Sequence, residues 1–261
     1  MHRTWNYCDL PAWFLASLEF NDNPQSFEIQ GVRQANRYLF DRLDATPDPD
    51  ERARAFNEFM SVQFHLHEWD KDHSPSAKRS IKNSYVRFLR GWGVDSNSIE
   101  AAVLKAWVES RIGIPPTFHR GKVLGDDPQD QMAFITDRMK GSERTNAINQ
   151  QLDLLFAFCQ YELARRHPGE RWFQLYRGTH EAERYDTMEV VSRHERIVRL
   201  NNLSSFTPDQ ERAFEFGSTV WQVRVPVAKV FFFSRLLPES ILKGEDEYLV
   251  IGGAYRVRQV W

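Results

Sequence analysis

The chain reads as an α+β protein, with a helical N-terminal part packed on a C-terminal β-core of antiparallel or mixed strands. Two observations predict this. Before Pro168-Gly169, apolar residues recur every three or four positions, the spacing of a half-buried helix; beyond it they alternate or run in short apolar stretches. The 41% hydrophobic and 13% aromatic content supplies a sizeable core for both patterns. The change of character divides the chain into a mainly helical part, residues 1–168, and a β-rich part, residues 169–261, expected to form one compact domain.

From Asp50 to about Leu66, Phe56, Met60 and Phe64 recur every four residues. From Ser80 to Arg90, Ile81, Tyr85 and Phe88 do the same. Asn97, three residues before Glu100, reads as a capping box, with Val103, Leu104, Trp107 and Val108 as the stripe behind it. Gly113 and Pro115-Pro116 stop that helix, and the Pro-, Gly- and Asp-rich segment Gly113 to Asp130 reads as a long loop. The longest helix runs from about Thr145 to Arg166, with Ile148, Leu152, Leu155, Cys159 and Leu163 on its buried face. Arg165, Arg166 and His167 lie where the helix dipole favours positive charge.

In the second half, Trp172 to Arg177 is aromatic and β-prone, and Ile197 to Leu200 is a short strand. Thr207, Pro208 and Gln210 read as the capped start of a helix that Gly217 closes. Trp221, Val223, Val225 and Val227 alternate with polar residues or proline. Val230 to Phe233 is a buried run. Tyr248 to Ile251 and Ala254 to Val260 read as two strands joined by a tight turn at Gly252-Gly253.

Charge and cysteine usage remove several functional classes. With 34 basic and 36 acidic side chains the net charge is −2, which gives no basic field for nucleic acid. Cys8 and Cys159 alone are not a disulfide framework, and a reducing compartment is the default. The apolar stretch Leu10 to Phe20 contains Pro11, Ser17 and Glu19, so no signal peptide is read there. No run reaches the roughly 20 apolar residues of a membrane span. The expectation is a soluble, cytoplasmic protein. No paired cysteine–histidine pattern suggests zinc, so no metal is expected. His65 and His67 stand two apart and would not face one site on a helix. Gly91-Trp92-Gly93 lacks the third glycine and preceding strand of a dinucleotide fingerprint.

Three places carry candidate chemistry. In a strand, Glu245 and Glu247 would share one face, where paired carboxylates can stabilise a sugar cation or orient a nucleophile; solvated acids at a strand end are the competing explanation. Like charges side by side weaken a strand, which favours a use for them. Tyr176-Arg177-Gly178 places an arginine before a glycine, a combination suited to a phosphate or diphosphate, or simply a surface arginine before a turn. In Leu203-Ser204-Ser205-Phe206-Thr207, Ser204 and Ser205 have no capping role and would orient a carboxylate or a ribose, unless they only form a turn.

Taken in chain order, Arg177, then Ser204-Ser205, then Glu245 and Glu247, the three places resemble the arginine–serine–glutamate class of mono-ADP-ribosyltransferases. More closely, the chain resembles the family of dinitrogenase reductase ADP-ribosyltransferases over nearly its whole length. That closer likeness includes Asn6-Tyr7-Cys8-Asp9-Leu10-Pro11-Ala12-Trp13, Phe20-Asn21-Asp22-Asn23-Pro24 and Ile29-Gln30-Gly31-Val32-Arg33. It continues through Tyr176-Arg177-Gly178-Thr179, Asn202-Leu203-Ser204-Ser205-Phe206-Thr207 and Glu245-Asp246-Glu247-Tyr248-Leu249-Val250.

The resemblance implies an ADP-ribosyltransferase-type β-core over 169–261 that binds NAD as ADP-ribose donor, without a Rossmann fold. It implies that Arg177 holds the diphosphate or the nicotinamide-side phosphate, that the Gly178 backbone meets the nicotinamide amide, and that Ser204, with Ser205 beside it, binds the nicotinamide ribose and orients Glu247. Glu247 would stabilise the oxocarbenium-like cation and Glu245 would receive the target guanidinium. The substrate implied is the nitrogenase iron protein, and the regulator a PII-type nitrogen-signalling protein. The serine motif departs from the class, since Ser204-Ser205-Phe206 stands where Ser-Thr-Ser is usual. Alternatives are an NAD glycohydrolase, an arginine transferase for another protein, or a non-catalytic regulatory binding module on the same fold.

Overall fold

The computed structural model describes residues 6–66, 84–125, 127–143, 147–180, 186–237 and 246–260. Short helices open the chain: α1 (Ala12–Leu15), α2 (Leu18–Asp22), α3 (Val32–Ala35) and α4 (Arg37–Asp44). Longer ones follow: α5 (Pro49–Gln63), α6 (Tyr85–Val94), α7 (Ile99–Ile112), α8 (Pro128–Ser142) and α9 (Ile148–Arg166), with α10 (Gln210–Ala213) inside the β-half.

The periodicity argument holds for the long helices, with local exceptions. Asp48 accepts from the Glu51 amide and Pro49 occupies the first turn, so α5 starts on a capped, pre-formed turn. The cap of α7 is Ser98 rather than Asn97, since the Asn97 side-chain oxygen Oδ1 instead accepts from the Arg120 main-chain amide. Glu100 is likewise drawn from its expected capping role into an ion pair with Arg87 at 2.8 Å. The segment expected as one loop from Gly113 to Asp130 contains a hairpin, β1 (Phe118–His119) and β2 (Lys122–Val123), and ends in the first turn of α8. At this hairpin His119 meets Asp137 of α8 at 2.9 Å. Residues 67–83, which include His67 and Ile81, lie outside the described set, as do 144–146.

The second half forms a six-stranded sheet ordered β3 (Trp172–Thr179), β6 (Thr219–Pro226), β8 (Tyr248–Gln259), β5 (Glu195–Phe206) and β4 (Asp186–Val190), with β7 (Val230–Phe233) also pairing with β8. Each of these pairings is antiparallel. β8 is the centre: β5 lines one edge, while β7 and then β6 share the other. The expected turn at Gly252-Gly253 is not a turn, because β8 runs straight through it. There β5 carries an extra residue, since Leu200 pairs with Gly253 and Leu203 with Ile251. Gly253 has φ +112° and lies against Ala16, whose carbonyl accepts from the Ala254 amide at 2.8 Å. The turn-like glycine pair therefore lies opposite a bulge in β5 and lets the end of α1 dock on the central strand.

The bulged residues of β5 also fasten the helical part to the sheet. Asn201 accepts from the Thr117 amide and donates to the Phe118 carbonyl; buried Asn202 donates to the carbonyls of Lys105 and Ile114. Helix α9 packs on β7, with the Phe156 and Phe231 rings stacked and Trp107 of α7 against Phe231 at 4.9 Å. One hydrophobic cluster extends from Phe56 and Phe158 in the helices to Val223 and Val250 in the sheet. The sequence pattern underestimates β5, expected only at Ile197 to Leu200, because Asn201 and Asn202 interrupt its apolar run without ending the strand.

Candidate active site

The sheet curls until the end of β3 meets the end of β5. Tyr176 and Thr207 exchange backbone hydrogen bonds at 2.7 and 2.9 Å across this contact. Thr207 is therefore held as a bridge residue and does not cap α10; Asp209 does, accepting from the amides of Glu211 and Arg212. The curl brings Arg177 of β3 beside the serines of β5. Arg177 Nη1 donates to the Ser205 carbonyl at 2.7 Å.

Two hollows meet at this contact. The first, of about 190 Å³, is lined by Arg177, Ser204, Asn201, Lys105, Phe118 and Asp186, among others. The second, of about 340 Å³, is lined by Glu247, Gly178, Phe206, Thr207, Arg212 and Phe216, among others. Trp92, Ser96, Arg177 and Ser205 line both. Arg177 and Ser205 thus stand where the hollows join, with Ser204 facing one and Glu247 the other.

Glu247 directly precedes β8 and is 6% exposed. Its main-chain carbonyl accepts from the Ser234 amide at 3.0 Å, which fixes the strand entry. Its Oε1 accepts from Trp92 Nε1 at 3.2 Å, and the same indole N–H reaches Ser205 Oγ at 2.9 Å. Ser204 is buried, and its hydroxyl donates to the Asn201 carbonyl at 3.4 Å. Glu245 lies outside the described residues, so its relation to Glu247 rests on the sequence.

Gly178 has a packing reason that the sequence did not reveal. A Cβ there would lie 1.9 Å from the Ala213 carbonyl, so the residue is small because α10 presses on β3. Trp92, Lys105 and Asn201 were also missed as site-forming residues. Trp92 sits in Gly91-Trp92-Gly93, dismissed above as a failed dinucleotide motif. Lys105 had a usable signal, being a lysine inside an otherwise apolar segment of α7. It is 1% exposed, and its ammonium donates to the Phe118 carbonyl at 3.1 Å. Burial chiefly, with repulsion from Arg177 added, lowers its pKa to about 7 although Asp95 pulls the other way. The Arg177 guanidinium, and the Lys105 ammonium when protonated, bear on the first hollow, a field suited to a phosphate-bearing ligand.

Both cysteines are buried structural residues: burial raises the Cys8 thiol to about 12 and the Cys159 thiol well above its ordinary value. Among the described residues, no group of three or more His, Cys, Asp or Glu side chains is placed to hold a metal ion. Nor is any described helix long and apolar enough to cross a membrane.

Fold and site define a class: an α+β protein whose curled antiparallel sheet sets a cationic hollow beside one bearing a buried carboxylate. The family model of dinitrogenase reductase ADP-ribosyltransferase (DRAT) matches residues 5–259, and the chain belongs to that family. Over 257 residues it is 43% identical to the NAD(+)--dinitrogen-reductase ADP-D-ribosyltransferase of Rhodospirillum rubrum, covering 97% of this chain and 93% of that protein. No solved structure matches the chain.

Proposed function

We propose that this protein transfers ADP-ribose from NAD to an arginine of dinitrogenase reductase, the nitrogenase iron protein, and so switches nitrogenase off in response to nitrogen or energy status. The observation that carries the reading is that Arg177 and Ser205 stand at the join of two hollows, with Glu247 in the second bonded to the same indole as Ser205, in a chain whose Rhodospirillum relative is named for this reaction.

In this reading residues 169–261 are the NAD-binding core, resting on residues 1–168. Arg177, with Lys105 behind it, binds the diphosphate; the Gly178 backbone meets the nicotinamide amide. Ser204 binds the nicotinamide ribose, and Ser205 links Arg177 to the carboxylate side. Departure of nicotinamide breaks the glycosidic C–N bond, its electron pair leaving with the ring, and builds positive charge on the ribose. The fixed carboxylate of Glu247 is placed in advance to stabilise that charge. The acceptor is a guanidinium with pKa above about 12, protonated and a poor nucleophile. Glu245 orients it and takes up the proton released as a guanidine nitrogen bonds to the anomeric carbon. A PII-type protein regulates the enzyme from the helical part, and the work is done in the cytoplasm.

The test incubates purified protein with NAD labelled in its adenosine moiety, with and without dinitrogenase reductase. The expected result is label attached stably to the reductase. Free ADP-ribose released equally fast in both reactions, with an unlabelled reductase, would replace the reading by an NAD glycohydrolase.

A further inference from the structure

The indole N–H of Trp92 stands between two acceptors that belong to the proposed site, Ser205 Oγ at 2.9 Å and Glu247 Oε1 at 3.2 Å. Trp92 belongs to α6, more than a hundred residues away in sequence from either. Its ring is 3% exposed, and it lines both hollows where they join. The helix that carries it is pinned. Ser98 Oγ donates to the Gly91 carbonyl at 3.2 Å, Arg87 is paired with Glu100, and Gly91 packs so closely on Glu100 that a Cβ would lie 2.4 Å from the Glu100 Cβ.

A core tryptophan needs one acceptor for its N–H, and Ser205 alone would satisfy that need. Sharing the donor with a buried carboxylate adds something different. A hydrogen bond to a charged acceptor is the stronger kind, and it restricts the carboxylate's rotation. Because Arg177 donates to the Ser205 carbonyl while Trp92 donates to the Ser205 hydroxyl, one residue ties the cation and the carboxylate to the same indole.

We propose that Trp92 is a positioning residue: its N–H holds Glu247, through a bond shared with Ser205, in the orientation that meets the ribose cation. The helical part then contributes directly to the reaction and is more than a docking platform. The inference rests on the assignment of Glu247 given above.

The experiment measures NAD cleavage by Trp92→Phe, which removes the donor and keeps an aromatic ring. The expected result is a fall in kcat of roughly 10- to 100-fold, the range for losing one bond to a charged group, with the KM for NAD within about three-fold of wild type. In a Glu247→Gln background the same change should cost less than about three-fold, because the charged acceptor is already gone and only a neutral amide oxygen remains to be positioned. If phenylalanine leaves a void that unfolds the chain, benzothienylalanine at position 92 keeps the bicyclic shape and removes only the N–H. A folded protein of either kind with wild-type kcat overturns the proposal, as does an equal loss in the wild-type and Glu247→Gln backgrounds. Failure of the underlying assignment looks different, since Glu247→Gln itself would then retain activity.

Discussion

Replacing Gly178 with alanine tests the account of how the site is shaped. The added Cβ would lie 1.9 Å from the Ala213 carbonyl oxygen and 3.0 Å from both the Ala213 carbonyl carbon and the Gly217 amide nitrogen. All three obstacles are backbone, so no side-chain rotation relieves them. To restore ordinary contact the Ala213 carbonyl has to retreat by roughly 1 to 1.5 Å. That carbonyl sits at the end of α10, held at one end by the Asp209 cap and at the other by Gly217, where a Cβ would come within 2.2 Å of Thr179. The segment is clamped on both sides, which places the cost near the upper end of the overpacking range, about 3 kcal/mol. Urea unfolding followed by tryptophan fluorescence measures it. The same displacement shifts Arg212 and Phe216, which line the second hollow, so the KM for NAD should rise as well. Gly217→Ala should cost a similar amount. The double variant should cost less than the sum, since one retreat of the segment relieves both clashes. A destabilisation below about 0.5 kcal/mol with unchanged KM would refute the packing argument, that being the ordinary range for a harmless substitution.

Two further predictions concern the helical part and the pH response. Arg52 and Glu162 form a buried pair at 2.5 Å that Arg166 joins at 2.8 Å; Arg52→Met should lower stability by about 3 to 5 kcal/mol, and Arg52→Met with Glu162→Leu should recover part of it in the same denaturation assay. Lys229 is fully buried, donating to the Gly252 carbonyl at 3.2 Å with the Tyr255 ring 4.7 Å away, and burial lowers its pKa to about 7, as it does for Lys105. Between pH 7 and about 9 the unfolded chain therefore holds lysine protons that the folded one has released, so stability should rise with pH by at most about 1.4 kcal/mol per unit for each lysine. Below that window the penalty of burying the charges is fully present. Above it the buried thiols and tyrosines, whose values are raised, act in the opposite direction. Lys229→Met should remove roughly half of the rise, and an unaltered slope in pH-dependent denaturation would show that Lys229 is not the source.

What could be read from the sequence was what depends on local periodicity. Helix α9 and strands β6 and β7 followed from apolar spacing because each buries a regular face against one partner. Arg177, Ser204 and Ser205 could be singled out only as a set, through the resemblance, because each taken alone is equally a surface arginine or a turn-forming serine. What stayed hidden depends on contacts far apart in sequence. Gly252-Gly253 looks like a turn locally; only the bulge opposite it in β5 and the approach of Ala16 reveal why glycines stand in an unbroken strand. Thr207 looks like a cap until Tyr176 claims its backbone. Trp92 gave no signal, because nothing near it in sequence suggests that α6 ends against the carboxylate of Glu247. Asn201 and Asn202 read as strand breakers, whereas their side chains are the fastening between sheet and helices.

The central claim is that Glu247 faces the carbon from which nicotinamide leaves, and Glu247→Gln tests it most directly because the amide keeps the shape and removes the charge. Steady-state NAD cleavage and transfer of labelled ADP-ribose to dinitrogenase reductase should be measured together on a variant shown to be folded. The account predicts that both fall, by about 100- to 1,000-fold, as expected for loss of a preorganised charge at a developing cation. Glu245→Gln, run alongside, should lose transfer while retaining more NAD cleavage. Cleavage and transfer by folded Glu247→Gln at near wild-type rates would contradict the account.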